Sequence, residues 1–143
     1  MARKKVQQIL TNDLVNKAVK FHGHFGPFLI LGLKAGLLGI SYLGKNYSEL
    51  KATVSTNLIP PRSCFIDGIQ FVSGCTTGKG NLKIQTSQEV AVKFTRAERK
   101  ISLTVRDAIL KTLDQLTSEE QVEISGKELL QKTDDELFLI DKN

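Results

Sequence analysis

Leu82 to Val105, LKIQTSQEVAVKFTRAERKISLTV, is the stretch whose reading decides the fold. Apolar residues alternate with polar ones at Leu82 and Ile84, again at Val90, Val92 and Phe94, and again at Ile101, Leu103 and Val105. A period of two sends successive side chains to opposite faces, so each run reads as a strand with one face buried. The polar segment Arg96 to Lys100 joins the later two as an antiparallel hairpin.

Upstream, Ala52 to Ile59 is rich in β-branched residues and stops at Pro60-Pro61, which predicts a fourth strand. Before it, Pro27 to about Leu43 is apolar on nearly all faces and reads as a buried helix. Gly32, Gly36 and Gly39 fall along one side of it. That side either admits another backbone, of a sheet or a symmetry partner, or belongs to a helix that merely tolerates glycine. Interrupted by Lys34 and its glycines, the run is a poor membrane span. Ile9, Leu10, Leu14, Val15, Ala18 and Val19 recur at helical spacing, giving a first helix from about Thr11 to Lys20 with Thr11 or Asn12 as its cap. Downstream, Arg106 to Leu116 reads as helix and Ser125-Gly-Lys-Glu128 as a capping-box start. Asp134-Asp135-Glu136 opens a last short helix or turn ending in Leu137 to Ile140. This tail shows no catalytic group and is expected to cover the sheet or a partner. The sum is one α+β domain over residues 1–143, a mixed sheet of about four strands covered by helices.

Composition narrows the function classes. The chain has 143 residues and a formal charge of +5, with its cations scattered and aromatics at only 6%, so no phosphate-tracking stripe or base-stacking platform suggests nucleic acid. Two cysteines make no disulfide framework, and Arg3, Lys4 and Lys5 precede only a short apolar segment rather than a leader, so the expected setting is cytoplasmic.

Chemistry gathers in two places. Phe21-His22-Gly23-His24-Phe25-Gly26-Pro27 holds both histidines. At i and i+2 on a helix they would point apart, whereas extended backbone lets them share a face, and the glycines argue for such a loop. Pro27 suits the first turn of the helix that follows. Alternatively, one histidine faces solvent and the other is hydrogen-bonded inside. In the second place Ser63 reads as an N-cap, with Cys64 to Phe71 a short helix. Cys64 in its first turn is expected to have a lowered thiol pKa, and Asp67 lies on the same side, where it orients a ligand, accepts a proton or is a plain surface carboxylate. Ser73 to Asn81, SGCTTGKGN, contains Cys75 and Lys79 but lacks the spacing of a nucleotide-triphosphate loop. It presents amides and Lys79 to an anion, or it is a turn joining helix to strand. Nitrogen and sulfur donors suit zinc or another late transition metal. Cys64 and Cys75, ten residues apart, fit a site assembled between elements better than a zinc finger, and otherwise are inert thiols or a redox pair.

Together, FHGHFGP at 21–27, the glycine-rich apolar helix, CFIDGIQ at 64–70 and GCTTGKGNL at 74–82 resemble the formylmethanofuran dehydrogenase E-subunit domain family over about residues 10 to 110. The resemblance implies a fold like the catalytic domain of glyceraldehyde-3-phosphate dehydrogenase, a homodimer, and a His/Cys cavity able to hold metal. It implies metal ligands among His22, His24, Cys64 and Cys75, with Cys64 and Asp67 as catalytic candidates and Lys79 beside a small anionic ligand or cofactor. Metal-assisted one-carbon or pterin-linked oxidoreductase chemistry related to methanogenesis follows as the inherited activity. One departure stands out: the family pattern runs His-Gly-His-x-Cys-Pro, and this chain has Gly26 at the cysteine. The alternative is therefore a non-catalytic dimeric accessory or small-ligand module with a degenerate site.

Overall fold

The computed structural model describes residues 10–143. Ile9, and the basic residues that precede it, lie outside the described residues. The elements run α1 (Asn12–His22), α2 (Pro27–Leu43), β1 (Lys51–Ser55), α3 (Cys64–Ser73), β2 (Leu82–Gln85), β3 (Ala91–Arg96), β4 (Arg99–Val105), α4 (Asp107–Asp114), α5 (Glu119–Gln131), α6 (Asp134–Leu137) and β5 (Phe138–Lys142). The strands form one mixed sheet in the order β2-β1-β3-β4-β5, with β1 and β2 parallel and the other neighbours antiparallel. The α+β expectation holds, with five strands rather than four.

The period-two reading is visible in the burial. Val92, Phe94, Ile101, Leu103 and Val105 are buried on one face, while Lys93 and Lys100 point away from the core. That face packs on α2, which also touches α1, α3 and α5 and is therefore buried almost throughout. Among the described residues no helix is long and apolar enough to cross a membrane.

Glycines set how closely α2 is approached. A Cβ on Gly39 would sit 2.4 Å from the Phe94 ring, so this position meets the sheet. Gly32 instead meets helix α3: its Cβ would lie 2.3 Å from the Phe65 carbonyl oxygen, and one on Gly68 would lie 2.5 Å from that of Leu29. The small-residue face thus receives mainly a neighbouring helix of the same chain, which the sequence reading did not include.

Three boundaries differ from expectation. β1 ends at Ser55, and Leu58 and Ile59 are exposed before the cis Pro60-Pro61 bond. Ser125 and Gly126 lie inside α5, whose cap is Ser118, accepting from the Gln121 N–H at 3.1 Å. The capping box belongs to Thr133 and Glu136 instead. Finally, Phe138 to Lys142 is no helix end but the edge strand β5, paired with β4 from Val105↔Phe138 to Ile101↔Lys142.

Candidate metal centre

Helix α1 brings the first histidine. Thr11 caps it, its hydroxyl accepting from the Leu14 N–H at 3.1 Å, and the helix continues to His22. Gly23 then takes φ 110°, a left-handed conformation suited to glycine, and its N–H donates to the Val19 carbonyl at 2.7 Å. This turn, rather than extended backbone across both histidines, folds the chain back. The two imidazole centroids end 4.5 Å apart. Phe25 anchors the loop against α5, where a Cβ on Gly126 would sit 2.5 Å from its ring. Pro27 is the first residue of α2, as expected.

Cys64 is the first residue of α3, and the structure brings it to the histidines. One ligand atom each from His22, His24 and Cys64 lie within 4.8 Å of one another. Bonds of about 2.0–2.3 Å in a tetrahedron set donor separations of roughly 3.3–3.8 Å, so the three are close to a metal-binding arrangement. Asp67 stands behind His22: its Oδ2 is 2.6 Å from Nδ1. A carboxylate accepts, so Nδ1 carries the hydrogen and Nε2 presents its lone pair. The His22 side chain is only 8% exposed, and Nε2 is buried without a hydrogen-bond partner. Buried polar atoms are ordinarily paired, so this nitrogen fits a site built around an ion, with the carboxylate fixing tautomer and ring.

The thiol itself does not follow expectation. Burial pushes the Cys64 pKa up, and the Asp67 carboxylate pushes it further, while a backbone hydrogen bond at the helix start pulls the other way. In the metal-free protein the helix end loses to desolvation. Ser63 also makes no side-chain cap hydrogen bond.

Cys75 and Lys79 are elsewhere. Both cysteines are free, and they flank α3, whose ten residues span about 15 Å. Cys75 is fully buried, its Sγ 3.4 Å from the Leu50 carbonyl oxygen, and its pKa is raised mainly by burial. It is outside the three-residue group, and no redox pair with Cys64 can form across that length. Lys79 donates to the Tyr47 carbonyl at 3.0 Å and sits over that ring. The amides of Thr76, Thr77 and Lys79 are bonded within the molecule, to Asn81, Gln70 and Thr76. The loop acts as the turn joining α3 to β2.

The sequence reading missed the walls. A cavity of about 100 Å³ opens beside His24 and Cys64, lined by Gly26, Phe28, Leu113, Leu116 and Val122 among others. A wider recess continues outward past His24, Leu116 and Val122 to Glu119 and Glu123. The tail that showed no catalytic group thus encloses the site. Arg62 ties it there, donating to Asp114 Oδ2 at 2.9 Å and to the Gln88 carbonyl. The helical spacing of Ile109, Leu113 and Leu116 was the available signal, but it does not say what the apolar face covers.

Residues 21–139 match the family described as FmdE, molybdenum formylmethanofuran dehydrogenase operon. The chain is 32% identical over 72 residues to a probable S-adenosyl-L-methionine-binding protein of Archaeoglobus fulgidus, a match covering 48% of this chain and 19% of that protein. It therefore spans about a fifth of that relative's length. A crystal structure of an FmdE-like protein of the tungsten formylmethanofuran dehydrogenase type, from Syntrophus aciditrophicus, superposes with a TM-score of 0.64 at 19% identity, covering 98% of this chain and 77% of that one. That likeness establishes the fold.

Proposed function

Because the chain belongs to the FmdE family, we propose that it is a metal-binding protein whose ion, zinc or a similar late transition metal, is held by His22 Nε2, His24 and Cys64 Sγ. The observation that carries this is the buried, unpartnered Nε2 of His22, with its other ring nitrogen held by Asp67 at 2.6 Å. Two imidazoles and one thiolate suit zinc in kind, and three protein ligands are the number that leaves a position for chemistry. The raised thiol pKa is consistent with this use, since a divalent ion supplies the positive charge that favours the thiolate.

When bound, such an ion supplies Lewis acidity to a ligand in the adjoining cavity. Asp67 positions His22 and does not itself face that cavity's lining. Metal-assisted one-carbon chemistry is the activity this reading favours, on the strength of the family.

Metal analysis of protein purified without an affinity tag tests the assignment. About one equivalent of metal is expected in the wild type, with loss in Cys64→Ser and His22→Ala. A metal-free wild type that takes up none on incubation with zinc or cobalt would overturn it.

A further inference from the structure

One side of the candidate centre is closed by no residue. Gly26 caps α2 in an extended conformation, φ −161° and ψ 162°, which any residue adopts. A Cβ built there would lie 3.4 Å from His24 Nε2, an ordinary contact. Position 26 could therefore carry a donor side chain beside the imidazole, and glycine leaves that place free. The free place opens into the cavity of about 100 Å³. On the far side of the group, the unpartnered and buried His22 Nε2 indicates that something is meant to occupy the centre.

We propose, resting on the metal reading above, that this cavity binds a small monoanion whose donor head takes the place Gly26 leaves and whose alkyl body of about three or four carbons fills the pocket, a short-chain monocarboxylate being the simplest case. A divalent ion with two neutral imidazoles and one thiolate keeps one positive charge, which selects an anionic head. Phe28, Leu29, Leu113, Leu116 and Val122 offer the body no polar partner, which selects alkyl. At about 30 Å³ per water-sized group, the space holds roughly three or four such groups. Glu119 and Glu123 line the recess beyond, so a second carboxylate at the ligand's far end is disfavoured.

The test titrates the cobalt(II)-loaded protein with straight-chain carboxylates from acetate to hexanoate, read by the cobalt d–d absorption. Affinity should rise about fourfold per added methylene, as burial of each CH₂ predicts, and level off near butyrate or pentanoate. Succinate should bind more weakly than butyrate. Gly26→Cys should retain cobalt and lose the butyrate response by tenfold or more, its thiol taking the open place. Val122→Phe, a change at a half-buried position, should keep the acetate response and lose the gain with chain length. Equal affinity for acetate and butyrate, or an unchanged butyrate response in Gly26→Cys, overturns the inference while leaving the metal assignment intact. A protein that takes up no cobalt overturns both.

Discussion

Removing the Asp67 carboxylate isolates the role of the group behind His22. Loss of a hydrogen-bond partner to a ligating imidazole typically weakens metal binding about 10–100-fold. At free zinc about 100 times the wild-type Kd, binding stabilises the fold by about 2.7 kcal/mol. The same zinc is only about 10-fold or one-fold above the Kd of Asp67→Ala, leaving about 1.4 or 0.4 kcal/mol. At roughly 4 °C per kcal/mol for a domain of this size, the zinc-induced rise in Tm falls from about 10 °C to between about 2 and 6 °C. The substitution also strips the partner from His22 Nδ1, 2.6 Å away, so the metal-free variant is itself less stable by about 1–3 kcal/mol. The informative quantity is therefore the difference between zinc and chelator within each variant, measured by thermal denaturation. Asp67→Asn keeps an acceptor for Nδ1–H without the charge and should fall between. A full zinc-induced shift in Asp67→Ala would refute the assignment of Asp67 as the positioning group.

Gly32→Ala should cost about 3 kcal/mol in chemical denaturation, because its methyl would meet the Phe65 carbonyl at 2.3 Å and backbone must move. Gly78→Ala, with nothing within 4 Å, should be near neutral. Cys75→Ser should leave metal stoichiometry unchanged, and the wild type stripped of metal should titrate as two free thiols without reductant. Hydrogen bonds from the Thr133 backbone and hydroxyl hold the Glu136 carboxyl below its ordinary 4.5. Its stabilisation is complete above that value and is lost as pH falls through the lowered one, so the stability deficit of Glu136→Gln at pH 7 should shrink toward pH 3, as paired denaturation curves will report.

The parts of the fold legible in sequence are those where local pattern and tertiary burial agree. The alternation from Leu82 to Val105 became β2, β3 and β4 because the same residues line the inner face of the sheet. The edge strand β5 was not legible. Phe138 is buried, Leu139 exposed and Ile140 half-buried, but so short a run after an acidic helix start carries no period of its own, and its pairing partner is the distant free edge of β4. Ser125-Gly126 misled for the opposite reason. Its cap signal is strong locally, yet the glycine is there to admit the Phe25 ring to the middle of α5, a tertiary demand that overrides helix propensity.

The candidate site turns on a choice between two cysteines, and spacing alone could not make it. What makes it is the contact between α2 and α3. Gly32 approaches Phe65 and Gly68, and Gly36, one turn later, approaches Ile69 and Val72, so the two helices run in the same direction. Helix α2 begins directly after the histidine loop, and the start of a helix lying parallel to it must stand at the same end. Cys64 is therefore delivered to His22 and His24, while Cys75, following the far end of α3, is carried away from them and buried under Leu50. The glycines of α2 look in sequence like a surface for a sheet or a symmetry partner. Their work is instead to let α3 close enough, and in the one register, that a single thiol reaches the imidazoles.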